Sequence, residues 1–416
     1  MWSVGVGRPD PESPDHDEDQ AREADGDHMI ALNSSARSLP VVNSGSMRIR
    51  LLPNDLSLAA NLWQEVESRV GTVGLSCSWA WTETWLRHYG DLIPHRFVLG
   101  ESDGHCAIAL LTAGLGKRRG PFPIRTLHLG TAGEPDAETV RVQHNRVLVS
   151  GQDRRQFLLG IVELADKIDL RWDEFRLDGF AGDEIAPLLE VPAIAVERQR
   201  CYIADLDAIR TAGETVLGAL RSEAAKKIRR SIRRLEEAHG PIRVDWAQNL
   251  DDARAIFEEM RSLHQARWEG IGEPGKFGDR RFDGFHRELI DRLFDAGGIL
   301  LARVSAGGLT LGCDYSLIDG QRILGYQWGI AQLEDTRLSP GLVTGVAVMQ
   351  AALERGYGQY DWLSGDVLYK KQLSTTEGEL IWARAPHGAR IRVIYGLAGA
   401  KRLAERLPSV RTQTAS

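Results

Sequence analysis

The segment from Arg337 to Lys371 holds the residues whose types and spacing best suit chemistry. It begins Arg-Leu-Ser-Pro-Gly, continues as an apolar helical run to Gly356, and then passes through a strand-like stretch to Tyr369 and Lys370. A helix that follows a strand presents unpaired backbone N–H groups and the positive end of its dipole, which suits a pyrophosphate. The segment therefore predicts a site that holds a phosphate-bearing acyl carrier beside a proton donor.

The first turn of this helix supplies the candidate cofactor-binding groups. They are Arg337, Ser339, Gly341, Leu342, Val343 and Thr344, with Trp328 on the preceding strand. Proline at 340 contributes no N–H to a phosphate, although the first turn of a helix tolerates it well. The turn is therefore expected to be an atypical phosphate cradle.

Three residues after the next strand are candidates for proton transfer and substrate binding. Tyr369 could protonate a departing thiolate, because a phenol of pKa ~10 is close enough to a thiol of pKa ~8.5 for general-acid work. Asp366 could accept a proton from an attacking amine, and Lys370 could bind phosphate or an acidic acceptor. The alternatives are a packed tyrosine, a turn-capping aspartate and a solvated lysine.

A second group lies on a predicted helix over 250–268. His264, Arg267 and Trp268 share one helical face, and a glycine-rich loop follows them. His264 could act as a base, while Arg267 and Trp268 could line the acceptor pocket. A histidine satisfied within the core is the alternative.

The predicted helix over 215–239 is strongly basic on one side and apolar on the other. Its bases are Arg221, Lys226, Lys227, Arg229, Arg230, Arg233 and Arg234. This side could attract CoA, an anionic glycan, a lipid head group or tRNA, or it could be a solvated surface. The absence of interleaved aromatic residues disfavours nucleic acid.

Composition limits the possible classes. The chain of 416 residues is globular in composition, and most of its net negative charge lies in residues 1–46, so the remainder is near neutral. That acidic segment is expected to be a disordered tail, with Met29 or Met47 as alternative starts. No apolar run is long enough to span a bilayer and no secretory segment is evident. The four scattered cysteines have no metal-ligand spacing, so we expect buried thiols, no metal and a cytoplasmic location.

The remaining pattern predicts an α/β class with mixed sheets and two similar halves, 47–200 and 201–395. Each half has the order strand, helix, helix, antiparallel strands, helix, strand. Within them we expect a loop at Gly114–Pro123, separate strands at 193–200 and 201–205, and a loop around Tyr369. Residues 396–416 are expected to form a basic helix and tail.

The second half resembles the CelD-like branch of the GNAT acyltransferase superfamily, which is related to the FemAB peptidyltransferases. The resemblance covers roughly 200–385. It is carried in order by Leu220-Arg221-Ser222, Lys226 to Glu236, Leu263 to Trp268, Phe285-His286, Ser339-Pro340-Gly341, Tyr360 to Asp366, and Tyr369-Lys370. It implies two tandem GNAT-like modules with the acyl-CoA N-acyltransferase fold, the first one degenerate.

The resemblance implies an acetyl-CoA or other acyl-CoA co-substrate and transfer to an amine or hydroxyl of a small molecule or glycan precursor. Direct attack on the thioester would need no metal. Two alternatives stay open: a non-catalytic binding module in polysaccharide or envelope biosynthesis, and a FemAB-like transferase that uses aminoacyl-tRNA. Peripheral membrane contact is compatible with either.

Overall fold

The strands and helices follow the predicted order closely. The computed structural model describes residues 39–119, 122–135, 138–140, 143–191 and 194–396. The strands are β1 (Val41–Ser44), β2 (Met47–Leu51), β3 (His95–Ser102), β4 (His105–Arg119), β5 (Phe122–Leu129), β6 (Leu148–Val149), β7 (Glu174–Phe180), β8 (Ala195–Asp205), β9 (Ile242–Trp246), β10 (Ile299–Ala306), β11 (Leu309–Asp319), β12 (Arg322–Ile330), β13 (Gln359–Ser364) and β14 (Thr376–Pro386). The helices are α1 (Leu56–Arg69), α2 (Trp79–Tyr89), α3 (Arg154–Ala165), α4 (Ala186–Leu189), α5 (Leu206–Thr211), α6 (Val216–Ala219), α7 (Ser222–His239), α8 (Leu250–Glu269), α9 (Arg280–Leu293), α10 (Pro340–Glu354) and α11 (Leu368–Gln372).

All these strands belong to one mixed sheet. Its order is β1-β2-β3-β4-β5-β7-β14-β8-β13-β12-β11-β10-β9, with β6 paired to β4. β14 joins the two halves, because it pairs antiparallel with β7 on one side and with β8 on the other. The last strand of the second half is therefore shared between both halves.

Each half contains one parallel strand pair of the same length. In the first half β5 pairs with β7 only through Thr126–His128 against Glu174–Arg176. In the second half β12 pairs with β13 only through Arg322–Leu324 against Gln359–Asp361. Both pairs then separate. We call the space between residues 129–131 and 177–180 the first gap.

Helix ends in the second half are fixed by short polar side chains. Asn249 accepts the Asp252 amide at the start of α8, and Asp279 accepts the amides of Arg281 and Phe282 at the start of α9. Such caps satisfy N–H groups that would otherwise have no partner. The sequence at these positions thus determines where the two helices begin.

Two cores cover the faces of the second half. On one face, α8 and α9 share a core with α1 and α2 of the first half, which includes the fully buried Trp81, Trp85 and Phe285. On the other face, α5, α6, α7 and α10 form a separate core. Trp79 is also buried in the first of these cores.

Several sequence-based boundaries were wrong. Where a loop was expected at Gly114–Pro123, β4 continues to Arg119 and β5 begins at Phe122. Gly114 does not turn the chain, because it packs directly against the backbone of Gly133. Residues 195–205 form one strand rather than two. The expected helix over 215–239 is divided into α6 and α7 by an extended backbone at Leu220.

The ends of the chain lie largely outside the described residues. These include the acidic segment up to residue 38 and the expected C-terminal helix beyond residue 396. β1 begins at Val41, so the folded part starts before the boundary predicted at Met47. The four cysteines are buried and free, as predicted.

Candidate functional site

The separation of β12 from β13 creates the space around which the candidate residues gather. Beyond Leu324, residues 325–330 pair with β11 alone among the described strands. β13 turns aside at Leu363, whose φ of 62° lies in the left-handed region that disfavours side chains. We call the space between 325–330 and 362–364 the second gap.

Aromatic side chains line the α10 side of the second gap. The rings of Trp328 and Trp362 have centroids 4.9 Å apart, and those of Tyr360 and Trp362 lie 4.5 Å apart. Two glycines allow this packing. A Cβ on Gly325 would lie 2.9 Å from the Tyr360 ring, and one on Gly345 would lie 3.2 Å from Trp328. The α10 side of the gap is thus lined by closely packed aromatic rings.

A fully buried polar network lies on the same face. The hydroxyl of Ser316 donates to Asp314 Oδ1 at 2.6 Å, and that of Tyr360 donates to Asp314 Oδ2 at 2.9 Å. Burial raises the pKa of Asp314 to about 7, and the two hydrogen bonds act against that shift. A buried carboxyl with this pKa is about half protonated at pH 7 and largely protonated at lower pH.

Tyr369 and Lys370 lie at the end of β13, on α11 rather than in the predicted loop. The Tyr369 ring meets Trp362 edge-on at 5.9 Å. Burial raises the pKa of the Tyr369 phenol, and the charge of Arg267 opposes the shift. Lys370 Nζ donates to the Ser364 carbonyl at 2.6 Å. Burial lowers the pKa of Lys370 to about 8.

Asp366 is exposed and lies between β13 and α11. Its Oδ1 accepts a hydrogen bond of 2.7 Å from the hydroxyl of Tyr202, and this contact raises the pKa of Tyr202. The carboxylate keeps access to solvent. It therefore stays available to accept a proton.

The beginning of α10 lies beside β12, as predicted, but it offers few free amides. Pro340 has no N–H, and the amides of Leu342 and Val343 donate to the Ser339 carbonyl at 3.0 and 3.1 Å. The Ser339 amide donates to Ser231 Oγ of α7 at 3.1 Å. Little of the first turn remains to bind a phosphate through backbone groups.

Side chains near this turn differ in their availability. The exposed Arg337 forms two hydrogen bonds of 2.8 Å with Asp335, and this guanidinium lowers the pKa of Asp335 to about 2. Gly341 packs 3.6 Å from Ile330, measured from an added Cβ. The hydroxyl of Thr344 is buried without a hydrogen-bond partner among the described residues.

The predicted group on α8 divides into two environments. His264 is buried, and its Nε2 accepts a hydrogen bond of 3.0 Å from the Trp268 indole. Burial lowers the pKa of His264. The predicted neighbours on one face are confirmed for this pair, but His264 lies in the core. Arg267 is exposed and acts electrostatically on Tyr369.

The basic side of α7 faces solvent next to the start of α10. Lys227, Arg229 and Arg230 are exposed, and no described carboxylate lies within 4.0 Å of them. Their helix contacts the first turn of α10 through Ser231 and Ser339. One of the α7 bases, Arg234, acts electrostatically on Asp335, close to the candidate phosphate position.

Sequence reasoning missed two polar groups. Asp314 stands alone within an apolar strand, which is a signal that could have been noticed. The other is His144, whose Nε2 the structure brings to 2.8 Å from Asp361 Oδ2 in the second half. The sequence gives no local signal for that contact.

The described ranges contain neither a candidate metal cluster nor a helix suited to crossing a membrane. No group of three or more histidine, cysteine or acidic side chains there could hold a metal ion. No helix in the same ranges is both long and apolar enough to cross a membrane.

Part of the chain matches a known family model. Residues 222–371 match the family model of the acetyltransferase (GNAT) domain. No curated protein matches the chain. The structure of FemX superposes with a TM-score of 0.51 at 13% identity, covering 77% of this chain and 95% of that one.

Two further structures are similar at lower scores. L-PGS from Bacillus licheniformis has a TM-score of 0.47 at 12% identity and covers 82% of this chain and 96% of its own. A tandem GNAT protein from the clavulanic acid biosynthesis pathway has a TM-score of 0.41 at 12% identity, covering 82% and 99%. At such identities the likeness to FemX concerns the fold alone. The predicted mixed α/β class is confirmed, and the match to the GNAT acetyltransferase domain model lies within the second half.

Proposed function

We propose that this chain is an acyltransferase of the CelD-like branch, with modules at 47–200 and 201–395. It moves an acyl group, acetyl in the first instance, from CoA to an amine or hydroxyl of a small molecule or glycan precursor. The observation that carries this proposal is the second gap, which opens beside the start of α10 and has Tyr369 and Lys370 at its end. The buried free cysteines favour a reducing compartment such as the cytoplasm.

The donor would enter along β12, with its thioester in the second gap and its phosphates near α10. Because Pro340 and the bonds to Ser339 leave few free amides, phosphate binding would depend mainly on side-chain cations. The exposed Arg337 lies just before α10, and the basic side of α7 adds further positive charge. Trp328 and Trp362 would pack against the carrier chain.

In the reaction the acceptor nitrogen or oxygen attacks the thioester carbonyl carbon directly. A C–N or C–O bond forms, the C–S bond breaks, and the thiolate leaves. Asp366 takes the proton from the acceptor, and the Tyr369 phenol gives its proton to the thiolate. Arg267 would stabilise the resulting phenolate, since its charge already acts on Tyr369. His264 has no part in this relay, because its Nε2 is occupied by Trp268.

Lys370 would add a positive charge at the reaction centre. One of its three N–H groups is held by the Ser364 carbonyl, which leaves two to bind the acyl oxygen or an acidic part of the acceptor. Charge that is fixed in advance near a developing oxyanion stabilises the transition state.

Calorimetry on the full chain tests the donor directly. Acetyl-CoA should bind with measurable heat, and release of free thiol should increase when a panel of amines and hydroxyl compounds is added. ATP serves as a control for nonspecific polyanion binding. Absence of heat at millimolar acetyl-CoA contradicts the donor assignment. Binding without thiol release for any acceptor would favour the non-catalytic binding module.

A second candidate function is transfer from aminoacyl-tRNA, which the free basic side chains of α7 favour. Phosphate contacts of this kind make binding strongly dependent on salt. Gel-shift measurements with bulk tRNA at increasing salt would test it. The candidate fails if replacing Arg229, Arg230 and Arg233 by glutamate leaves tRNA binding unchanged.

A further inference from the structure

The segment 143–147 of the first half lies inside the first gap. Asn145 forms a parallel bridge with Phe180, and its amide donates to the Gly179 carbonyl at 3.0 Å. Its side chain donates to the carbonyl of Asp178. The position that a ligand would take beside β7 is therefore filled by the chain itself.

Contacts with the rest of the first half hold this segment. After it, β6 pairs with Ala107 and Ile108 of β4. Within it, the Ser76 hydroxyl donates to the His144 carbonyl and accepts a hydrogen bond from the Arg146 amide, both at 3.1 Å. Such anchoring makes the segment a fixed part of the first half.

The same segment reaches the bent part of β13. Gln143 Oε1 accepts the Ser364 amide at 2.7 Å, and His144 Nε2 lies 2.8 Å from Asp361 Oδ2. Asp361 is fully buried, and its other oxygen accepts the Leu363 amide at 2.7 Å. The left-handed turn at Leu363 is thus stabilised by a carboxylate that His144 holds.

The hydrogen-bond chain also fixes the state of the imidazole. Arg322 donates to His144 Nδ1 at 2.8 Å, and a guanidinium cannot accept, so Nδ1 is the acceptor nitrogen and Nε2 carries the proton toward Asp361. His144 itself has a φ of 61°, an unfavourable backbone conformation for a side-chain-bearing residue. Strain of this kind persists where surrounding contacts over-determine it.

We propose that segment 143–147 acts as an internal ligand, filling the first gap while His144 and Gln143 hold β13 in the bent form that opens the second gap. The chain then binds one acyl donor, not two. His144 is a positioning residue for the reaction, a role that rests on the proposed function. It touches neither Tyr369 nor Lys370 and acts on them through Asp361 and Ser364.

Hydrogen exchange followed by mass spectrometry tests, without any substrate, whether His144 and Gln143 hold β13 in its bent form. In His144→Leu, peptides that cover 360–366 should exchange at least about tenfold faster, because the Leu363 and Ser364 amides lose their support. His144→Gln should restore slow exchange, since an amide can donate to Asp361 and accept from Arg322. The matched control is His128→Leu, which removes the first half's other buried histidine contact, to Asp178 at 2.6 Å.

The outcomes separate the proposals. Unchanged exchange over 360–366 in His144→Leu overturns the proposal that His144 holds β13 in its bent form, as does equal acceleration in the His128 variant. Should His144→Leu fail to fold, Gln143→Ala must accelerate exchange at the Ser364 amide, and unchanged exchange there has the same meaning. Acetyl-CoA calorimetry should give one site per chain, and two sites would overturn the internal ligand. Absence of any acetyl-CoA binding would count against the proposed function alone, because the exchange result stands without it.

The positioning role predicts a specific kinetic pattern. With an acceptor that works, His144→Leu should lower kcat about 10- to 100-fold, while its KM for acetyl-CoA stays within about twofold, because misplacement of reacting groups affects the transition state most. The His128 variant should leave both values unchanged. A proportional loss in both variants would indicate a structural role only.

Discussion

The two parallel strand pairs of this molecule have the same length, but the spaces beside them differ in what occupies them. β5 and β7 separate after three residue pairs, and Asn145 of the same chain enters the space. β12 and β13 also separate after three pairs, but on the β12 side no described strand enters. What a gap can bind therefore depends on what already occupies it, and not on the sheet that forms it.

The chemistry around the two gaps differs in the same direction. The second gap ends at α11, with a phenol and an ammonium group in place. In the first gap the polar side chains satisfy one another: His128 contacts Asp178 at 2.6 Å and Thr126 at 2.8 Å. The polar groups beside the first gap are thus already paired, and the candidate reaction centre lies in the second half.

The largest expected effect is the loss of the phenol at the second gap. Tyr369→Phe should lower the rate of acceptor-dependent thiol release by about 10²-fold or more, because general-acid catalysis contributes about 10²- to 10⁴-fold. Binding of acetyl-CoA should change little, since the ring and its contact with Trp362 remain. Steady-state kinetics and calorimetry measure the two quantities.

Tyr357→Phe is the matched control for this change, because Tyr357 lies beyond the end of α10. It should leave the rate unchanged. An unaltered rate in Tyr369→Phe would remove the general acid from the mechanism and much of the contrast between the gaps.

The second effect concerns the buried carboxyl beside the second gap. Below about pH 7 native Asp314 is protonated, whereas an unfolded aspartate loses its proton near pH 4. Between these values the native state binds more protons, so stability falls as pH rises. From pH 5 to pH 7 the loss should be about 2 kcal/mol, since one pKa unit corresponds to about 1.4 kcal/mol and the dependence flattens as pH approaches the native pKa.

Asp314→Asn should remove this pH dependence, as measured by urea denaturation at both pH values. The first half offers the control. On β4 the buried Thr112 donates to the Gly130 carbonyl at 3.0 Å. Thr112→Val should lower stability equally at both pH values. A pH dependence that persists in Asp314→Asn would assign it to other groups.

A smaller effect is expected from the charge of Lys370. Since its pKa is about 8, the ammonium form that the mechanism uses is lost as pH rises through this value. Arginine keeps its charge, so the rate of Lys370→Arg relative to the wild type should rise about tenfold between pH 7 and pH 9. Lys371→Arg is the control and should show a constant ratio. A constant ratio for Lys370→Arg would mean that its charge is not used.

The sequence predicted the order of elements because apolar periodicity and caps are local properties. It also located the path from β12 through α10 to Tyr369, since the strand–helix–strand pattern lies within about forty residues. The loop expected around Tyr369 is α11 instead. The loop expected after Gly114 is strand, because Gly114 is there to let Gly133 approach and not to turn the chain.

The contacts that support the site could not be predicted in this way. His144 and Asp361 are 217 positions apart in the chain, and no local pattern relates them. Similarly, the shift at Asp314 depends on complete burial by α10 and its neighbours, a tertiary property. His264 was placed on the correct helix face, but its burial and its bond to Trp268 depend on how α8 packs.

The smallest effect concerns two helices, α3 of the first half and α10 of the second half. At the start of α3 the Asp153 carboxylate is held by Ser102 at 2.6 Å and His105 at 2.9 Å. At the start of α10 no acidic residue lies in the first turn, and the basic side of α7 is adjacent. Replacing Arg230 and Arg234 by glutamate should weaken acetyl-CoA binding about fivefold at low salt, and less at high salt because exposed charges are screened. Asp153→Ser should leave the affinity unchanged, since the first gap takes no donor. Calorimetry at two salt concentrations measures both variants, and equal affinity losses would contradict a difference between the two helices.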